Sequence, residues 1–225
     1  MHRMIVPGVF GPRVTAFFTG KDPGADIPVI ARLMKIDVGS VYLPIQKHTD
    51  RVMYFDGTRE PRIADAVVTD RRGVLVGVQV ADCVPVLLFD SERRVIAAVH
   101  AGWRGTATGI LAKTIRFMSD RFACRPADIS AAIGPSIGRC CYAVDHDVKE
   151  AVVRATGPGD YHLSIGEKFF LDLRSANKHQ ALSSGIPAGR IWVADVCTSC
   201  NPDRFFSYRY AKGPTGRQGA FIGML

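Results

Sequence analysis

The chain has 225 residues, of which 47% are hydrophobic and 22% are charged, and this composition excludes a disordered or fibrous protein. No run approaches the ~18 consecutive apolar residues of a transmembrane helix, so no membrane partner is expected. The net charge of +8 favours anionic ligands such as phosphate, but the basic residues are scattered, so nucleic acid is not expected as the main partner.

The hydrophobic pattern predicts one domain over residues 1–225. Residues 1–20 lack the continuous apolar stretch of ~7–15 residues typical of a secretory signal, so we expect a cytoplasmic protein. Apolar runs predict strands at 73–90 (interrupted at Asp82 and Cys83), 95–99, 129–133, 190–195 and 220–225. Helical spacing predicts helices at 106–122, 144–155 and 171–184, and the Gly- and Pro-rich residues 156–166 predict a surface loop. This alternation over one continuous core predicts a mixed α/β (α+β) fold.

Polar side chains interrupt or end two of the predicted strands. Asp82 and Cys83 break an apolar run, and a buried carboxylate needs partners because its desolvation is costly. Asp82 is therefore either a catalytic or orienting group or a structural carboxylate that caps a loop, and the sequence leaves both interpretations open. His100 ends the next strand, and Arg104 in the turn that follows offers a planar fork of donors suited to phosphate.

A further histidine completes a possible ligand set. His48 follows the extended apolar residues 41–45. Together, His48, Cys83 and His100 supply two imidazoles and one thiolate, which is the number of protein ligands in a catalytic zinc site with one open position. The same Cys83 and His100 also suit a nucleophile and its base, so a metal-independent Cys–His hydrolase or deamidase is an alternative.

The other cysteines give a weaker pattern. Cys197 and Cys200 form a CxxC pair, whereas a structural zinc site uses four ligands, usually as two such pairs. The adjacent Cys140 and Cys141 are a poor second pair, because the side chains of neighbouring residues diverge. We therefore expect these thiols to be buried and inert, with a redox role for Cys197 and Cys200 as the alternative.

Eight segments along the chain carry a resemblance to a known family. They are QKH (46–48), ADAVVT (64–69), ADCVPV (81–86), HAGWRG (100–105), IGPSIG (133–138), CCY (140–142), FFSYR (205–209) and TGRQ (215–218). In these segments the chain resembles the laccase-domain or multicopper polyphenol oxidase family, whose members are regarded as zinc-dependent purine nucleoside phosphorylases. The segments follow the family's order and cover about residues 40–225.

The resemblance implies a fold in which two mixed β-sheets lie between helical layers. It implies phosphorolysis of adenosine, inosine, guanosine and methylthioadenosine, together with adenosine deamination. The implied cofactor is zinc, with copper as an alternative, and the implied partners are a purine nucleoside and phosphate, with a homodimer as a candidate assembly. The implied metal ligands are His48, Cys83 and His100. The candidate catalytic residues are Cys83, His100 and Asp82, and the candidate substrate- or phosphate-binding residues are Arg104, Arg209, Arg217 and Gln46.

Two positions depart from the family's pattern. Thr49 stands where the family usually has glycine after the first ligand histidine, and Tyr210 stands where it usually has a second arginine after Arg209. The first bears on the loop that directs His48, and the second on the charge near the substrate pocket. A multicopper oxidase as a class needs about ten histidines for its four coppers, and this chain has six, so a four-copper centre cannot be built within one chain. Two histidines and one cysteine do suit a single copper ion, so a copper-binding phenol oxidase is an alternative. A basic nucleic-acid-binding module is the last alternative.

Overall fold

Strands and helices alternate through residues 4–225, the part of the chain that the computed structural model describes. His2 lies outside this part. The helices are α1 (Ile27–Met34), α2 (Trp103–Ala107), α3 (Ile110–Phe122), α4 (His146–Thr156), α5 (Leu173–Ser183) and α6 (Tyr208–Ala211). The strands are β1 (Thr15–Phe18), β2 (Val41–Tyr42), β3 (Val52–Tyr54), β4 (Ala66–Thr69), β5 (Leu75–Val80), β6 (Val84–Asp90), β7 (Val95–Ala101), β8 (Ile129–Ile133), β9 (Ala143–Val144), β10 (His162–Ile165), β11 (Lys168–Leu171), β12 (Ile191–Val193) and β13 (Gln218–Gly223). Within residues 4–225, no helix is long and apolar enough to cross a membrane.

The strands form two larger sheets and one small sheet. The four-stranded sheet has the order β1-β13-β5-β2, and the six-stranded sheet has the order β12-β8-β6-β7-β4-β3. Both are mixed, since β2 runs parallel to β5 and β3 runs parallel to β4, whereas most other neighbours are antiparallel. The small sheet, β10-β11-β9, is antiparallel throughout.

The two larger sheets pack face to face, and helices cover their outer faces. Val76 and Ile222 of the four-stranded sheet share one buried cluster with Leu87 and Ala98 of the six-stranded sheet. Helices α3, α4 and α5 pack on the outer face of the six-stranded sheet, and α1 packs on the four-stranded sheet. Strands β6 and β7 are therefore buried on both faces, which explains their unbroken apolar runs. The prediction of a mixed α/β fold with two mixed sheets between helical layers is confirmed.

Most predicted elements are present, with shifted ends. The run 73–90 is interrupted as predicted, and it forms β5 and β6. The helix predicted at 106–122 is two helices, because Gly109 adopts a φ of 71° between α2 and α3. The prediction of a loop over 156–166 is wrong in its second half. There β10 pairs with β11 across a two-residue turn, Gly166-Glu167.

Candidate metal centre and substrate cleft

Strand register brings the candidate ligands to one end of the six-stranded sheet. In the β6–β7 pair Pro85 lies opposite His100, which places Cys83, just before β6, beside the end of β7. Strand β4 pairs with the other edge of β7, and the amide of His100 donates to the carbonyl of Asp65 at 2.7 Å. His48 reaches the same point from the loop between β2 and β3. Residues that are far apart in the chain therefore meet.

His48, Cys83 and His100 form a compact ligand set. Their candidate donor atoms all lie within 4.8 Å of one another, and Nε2 of His48 lies 3.9 Å from Sγ of Cys83. The two imidazole rings meet edge to face, with centroids 4.8 Å apart. Donor atoms that share one zinc ion at ~2.0–2.3 Å lie within about 4.6 Å of one another, so the observed spacing is close to that of a zinc site.

Asp65 is a buried carboxylate that orients two of these ligands, a role that was not predicted from the sequence. Its Oδ1 accepts hydrogen bonds from Nδ1 of His100 at 2.7 Å and from the amide of His48 at 3.0 Å. Because Nδ1 of His100 is engaged, Nε2 is the nitrogen that remains for a metal. The available signal was the same as for Asp82: a carboxylate beside an apolar strand needs partners.

The electrostatics of the site favour a thiolate at Cys83. Burial alone raises the pKa of this thiol, but the charges and hydrogen bonds of His100 and His48 outweigh burial and lower the pKa to about 6. Burial also opposes the charged form of His100, yet Cys83 and Asp65 raise the pKa of His100 to about 9. Burial opposes ionisation of Asp65 as well, but the hydrogen bonds from His100 and Thr49 hold its pKa well below the usual range. The thiolate is the form in which cysteine binds metal or acts as a nucleophile.

Gly102 provides the space that the ligand set occupies. A Cβ atom at this position would lie 3.0 Å from Sγ of Cys83 and 3.3 Å from Cδ2 of His48. Both separations are shorter than ordinary van der Waals contact. A side chain at position 102 would therefore push Sγ of Cys83 or the His48 ring away by a few tenths of an ångström, and glycine permits the close approach.

The ligand set lines a cleft of about 590 Å³, a volume within the usual range for small-molecule sites. The three arginines predicted to bind substrate or phosphate also line it: Arg104, Arg209 and Arg217. The guanidinium of Arg104 lies 4.4 Å from the centre of the Trp103 ring, and that of Arg209 lies 5.1 Å from the centre of the Tyr142 ring. The cleft therefore combines positive charge with aromatic surface beside the candidate ligands.

Asp82 also lines the cleft, but the protein itself occupies its carboxylate. Oδ1 accepts from the hydroxyl of Thr198 at 2.6 Å. Oδ2 accepts from the hydroxyl of Ser207 at 3.0 Å and from the amide of Arg209 at 2.8 Å. These contacts favour the interpretation of Asp82 as a carboxylate that caps loops, and its catalytic role stays a prediction.

Three other positions from the sequence analysis have clear surroundings. The side-chain amide of Gln46 lines the cleft, and it both donates to and accepts from the backbone of Gln79 at 2.8 Å. Thr49, where the family usually has glycine, donates to Oδ2 of Asp65 from its amide at 2.6 Å and from its hydroxyl at 2.7 Å. The departure at position 49 therefore adds a hydrogen bond to the carboxylate that orients the ligands. Tyr210 is 61% exposed and is not among the described residues that line the cleft.

The prediction that these cysteines are buried is wrong for four of them. Their Sγ atoms lie within 4.8 Å of one another, and the four residues are Cys140, Cys141, Cys197 and Cys200. Cys140 and Cys200 are exposed. Cys140 and Cys141 occupy a turn, so their side chains do not diverge as they would on a strand. Cys124, by contrast, is buried in the core, and burial raises the pKa of its thiol well above the usual range.

Together, the fold and the site define a mixed α/β protein with a candidate metal centre of two histidines and one cysteine in an arginine-lined cleft. The family model described as "Multi-copper polyphenol oxidoreductase laccase" matches residues 25–225, a range that includes every residue of this centre. The chain belongs to this family.

Related proteins carry the names of nucleoside enzymes. Purine nucleoside phosphorylase YlmD of Geobacillus stearothermophilus is 42% identical over 163 residues, which are 71% of this chain and 59% of that protein. A purine nucleoside phosphorylase of Clostridium acetobutylicum is 39% identical over 188 residues, 83% of this chain and 76% of that protein. Adenosine deaminase RL5, from an unknown prokaryotic organism, is 33% identical over 207 residues, 84% of this chain and 76% of that protein. The alignment with the first relative thus spans less than two thirds of its length.

Solved structures share the fold over almost the whole chain. The hypothetical protein YfiH of Bacillus licheniformis has a TM-score of 0.87 and 34% identity, with 93% of this chain and 92% of that chain covered. YlmD from Geobacillus stearothermophilus has a TM-score of 0.87 and 30% identity, with 94% of this chain and 92% of that chain covered. These similarities support the mixed α/β architecture independently of the sequence patterns.

Proposed function

We propose that the chain is a zinc-dependent purine nucleoside phosphorylase of the cytoplasm. It cleaves adenosine, inosine, guanosine and methylthioadenosine with phosphate to the free base and the sugar 1-phosphate, and it also deaminates adenosine. The observation that carries the proposal is the set His48, Cys83 and His100 in an arginine-lined cleft of about 590 Å³. The names of relatives at 33% to 42% identity support it. The homodimer stays a prediction.

Zinc fits the ligand set because of the chemistry of the donors. The histidines lower the pKa of Cys83 and so favour the thiolate that metal binding needs, and Nε2 is the free nitrogen of His100 because Asp65 accepts from Nδ1. His48, Cys83 and His100 would hold the ion, and three protein ligands leave a further position open. The chemistry that bound zinc supplies is Lewis-acid polarisation of an oxygen atom of phosphate or water. Copper suits the same three donors, and metal analysis distinguishes the two ions.

The arginines of the cleft are the groups that hold phosphate. Arg104 is stacked on an aromatic ring, and Arg209 is fixed by the Tyr142 ring and by donation from Nη1 to the carbonyl of Ala143 at 2.9 Å. Guanidinium groups fixed in this way need little reorganisation when they bind phosphate oxygens in pairs. Arg217 adds a third positive charge to the lining of the cleft.

The two reactions make related demands on the site. In phosphorolysis, a phosphate oxygen bonds to C1′ of the ribose while the bond from C1′ to N9 of the purine breaks, and the leaving purine takes up a proton. In deamination, the oxygen of water replaces the amino group at C6, and ammonia leaves. The exposed ring of Tyr208 lines the cleft and offers a face on which a purine can stack. Asp82 stays the candidate for proton transfer.

Phosphate-dependent release of free purine from adenosine, measured together with the zinc content of the same sample, tests the proposal. The native protein should release purine only when phosphate is present. His48→Ala should lose zinc, and its activity should fall by more than ~100-fold. Removal of a residue that only orients a metal ligand already costs up to ~100-fold, and removal of a ligand should cost more. His146→Ala is the matched control, because His146 lies exposed on α4 and does not line the cleft. Purine release without phosphate, or unchanged activity in His48→Ala, would contradict the proposal.

A metal-independent thiol hydrolase or deamidase is the second candidate, and the low pKa of Cys83 beside His100 favours it. In that enzyme Cys83 attacks the substrate carbon and His100 carries the proton. Exhaustive chelation separates the two candidates. The phosphorylase loses activity and regains it with zinc, whereas the thiol enzyme keeps activity under chelation and loses it to iodoacetamide.

A further inference from the structure

Four cysteines from two separate loops meet outside the candidate metal centre. Cys140 and Cys141 lie in the turn between β8 and β9, and Cys197 and Cys200 lie in the turn after β12. Sγ of Cys200 is 3.5 Å from Sγ of Cys140 and 3.3 Å from Sγ of Cys141. All four Sγ atoms lie within 4.8 Å of one another, and we call these residues the four-cysteine cluster.

Backbone contacts hold the two loops together. Ser136 and Cys197 form an isolated parallel β-bridge, and the amide of Thr198 donates to the carbonyl of Ser136 at 3.0 Å. The amide of Gly138 donates to Sγ of Cys197 at 3.2 Å. An N–H group directed at sulfur favours the thiolate over the thiol. The fold itself therefore places the sulfur atoms together, so the cluster does not depend on chance positions of mobile side chains.

We propose that the four-cysteine cluster binds one zinc ion through four thiolates, as a second metal site with a structural role. Four sulfur atoms around one ion at ~2.3 Å lie about 3.8 Å apart, and the separations of 3.3 and 3.5 Å are close to this value. A tetrahedral set of four thiolates selects zinc or iron. The compact spacing suits one ion, because a centre with several irons holds its cysteines farther apart. Four protein ligands fill the coordination of zinc, so the site is closed to substrate.

The four-cysteine cluster also adjoins the substrate cleft. The hydroxyl of Thr198, between Cys197 and Cys200, donates to Oδ1 of Asp82 at 2.6 Å. The amide of Ile137, on the other loop, donates to the carbonyl of Asp82 at 3.0 Å. A zinc ion that joins the two loops therefore fixes the backbone and the carboxylate of Asp82 at the wall of the cleft.

Zinc content of the full chain, purified without added metal, tests this proposal separately from activity. The native protein should contain two zinc ions per chain, one for each ligand set, and Cys200→Ser should contain one. Cys83→Ala should also contain one, and zinc X-ray absorption of this variant should show four sulfur ligands and no nitrogen. Cys124→Ala is the matched control, because Cys124 is a core cysteine outside both sets and its variant should keep both ions. If Cys200→Ser does not fold, the absorption spectrum of Cys83→Ala still tests whether four sulfur atoms bind a zinc ion.

The outcomes separate this site from the proposed function. A single zinc that is lost in Cys83→Ala and kept in Cys200→Ser would overturn the second site and leave the phosphorylase proposal intact. A single zinc that is kept in Cys83→Ala and lost in Cys200→Ser would support the four-cysteine cluster as a zinc site and contradict the catalytic zinc. Titration of the denatured protein should find all six cysteines as thiols. A disulfide within the cluster, or iron in place of zinc, would overturn the proposal.

Discussion

Asp65→Asn should weaken zinc binding although Asp65 is not itself a ligand. Its carboxylate is fully buried and accepts five hydrogen bonds. Oδ1 accepts from the amide of His48 and from Nδ1 of His100, and Oδ2 accepts from the amides of Lys47 and Thr49 and from the hydroxyl of Thr49. Asparagine has one acceptor oxygen and one NH₂ group, so in either orientation the NH₂ group faces at least two donors.

The expected size of the effect follows from these contacts. A hydrogen bond to a charged group contributes roughly 1.5–3 kcal/mol, so the loss of two such bonds should lower the free energy of unfolding by about 3–6 kcal/mol. Loss of a partner that orients a metal ligand typically lowers metal affinity by ~10–100-fold. In binding free energy this is about 1.4–2.7 kcal/mol. Asp65→Asn should therefore be both less stable and a weaker zinc binder.

Competition with a chromogenic chelator measures the zinc affinity, and denaturant unfolding of the metal-free protein measures the stability. Asp70→Asn is the matched control: Asp70 lies at the other end of β4, is exposed, and accepts one hydrogen bond from the hydroxyl of Tyr54 at 2.9 Å. In Asp70→Asn the free energy of zinc binding and the free energy of unfolding should each change by less than ~0.5 kcal/mol. Thr49→Val removes one of the five bonds and should have an intermediate effect. If Asp65→Asn binds zinc as tightly as the native protein, the orienting role of Asp65 is refuted.

Three further substitutions test other parts of the structure. Arg104→Ala should raise the KM for phosphate more than the KM for nucleoside, and equal changes in steady-state kinetics would remove its assigned role. Tyr210→Arg restores the family's usual residue. It should leave the KM for phosphate and the KM for nucleoside unchanged, because position 210 lies outside the cleft. A lower KM for phosphate would show that a charge at this position reaches the substrate. Leu87→Ala, at a fully buried position between the sheets, should lower the free energy of unfolding by about 2–5 kcal/mol. The exposed Leu163→Ala should stay within ~0.5 kcal/mol in the same denaturant titration, and similar losses for the two variants would contradict this description of the core.

The strands that carry the site could be predicted because they are buried on both faces. All seven residues of β6 and of β7 are buried, and this produces the continuous apolar runs in the sequence. Cys83 and His100 stand at the ends of these runs, where a polar residue indicates chemistry. That His48 joins them was implied by the family resemblance, because spacing along the chain does not specify which strand ends are neighbours.

The small sheet was missed because its first strand gives little core signal. Leu163 and Ile165 of β10 are exposed, so their side chains do not mark a buried face. The composition of residues 156–166 favoured a loop. The informative feature was the two-residue turn Gly166-Glu167 between an alternating segment, His162–Ile165, and an apolar one, Lys168–Leu171, because a short turn that contains glycine favours a hairpin.

The four-cysteine cluster was missed for a different physical reason. The argument that adjacent side chains diverge holds for a strand, where successive residues point to opposite faces. Cys140 and Cys141 instead follow Gly138 in a turn, in which the amide of Cys141 donates to the carbonyl of Gly138 at 3.0 Å. Which of the two backbone conformations applies depends on contacts with residues far along the chain, such as Cys197.

Two residues at the site hold backbone conformations that a side chain disfavours. His48 has a φ of 57° and Asp82 has a φ of 85°, each at a cost of order ~1–3 kcal/mol for a residue other than glycine. Glycine would adopt both conformations without this strain, but it would supply neither the imidazole nor the carboxylate. Asp65 holds the first residue by accepting from the amide of His48, and the hydroxyl of Thr198 holds the second through the carboxylate of Asp82. These hydrogen bonds are buried or partly buried, and they offset the backbone strain. The site can therefore carry an imidazole and a carboxylate at two positions where the backbone conformation alone would favour glycine.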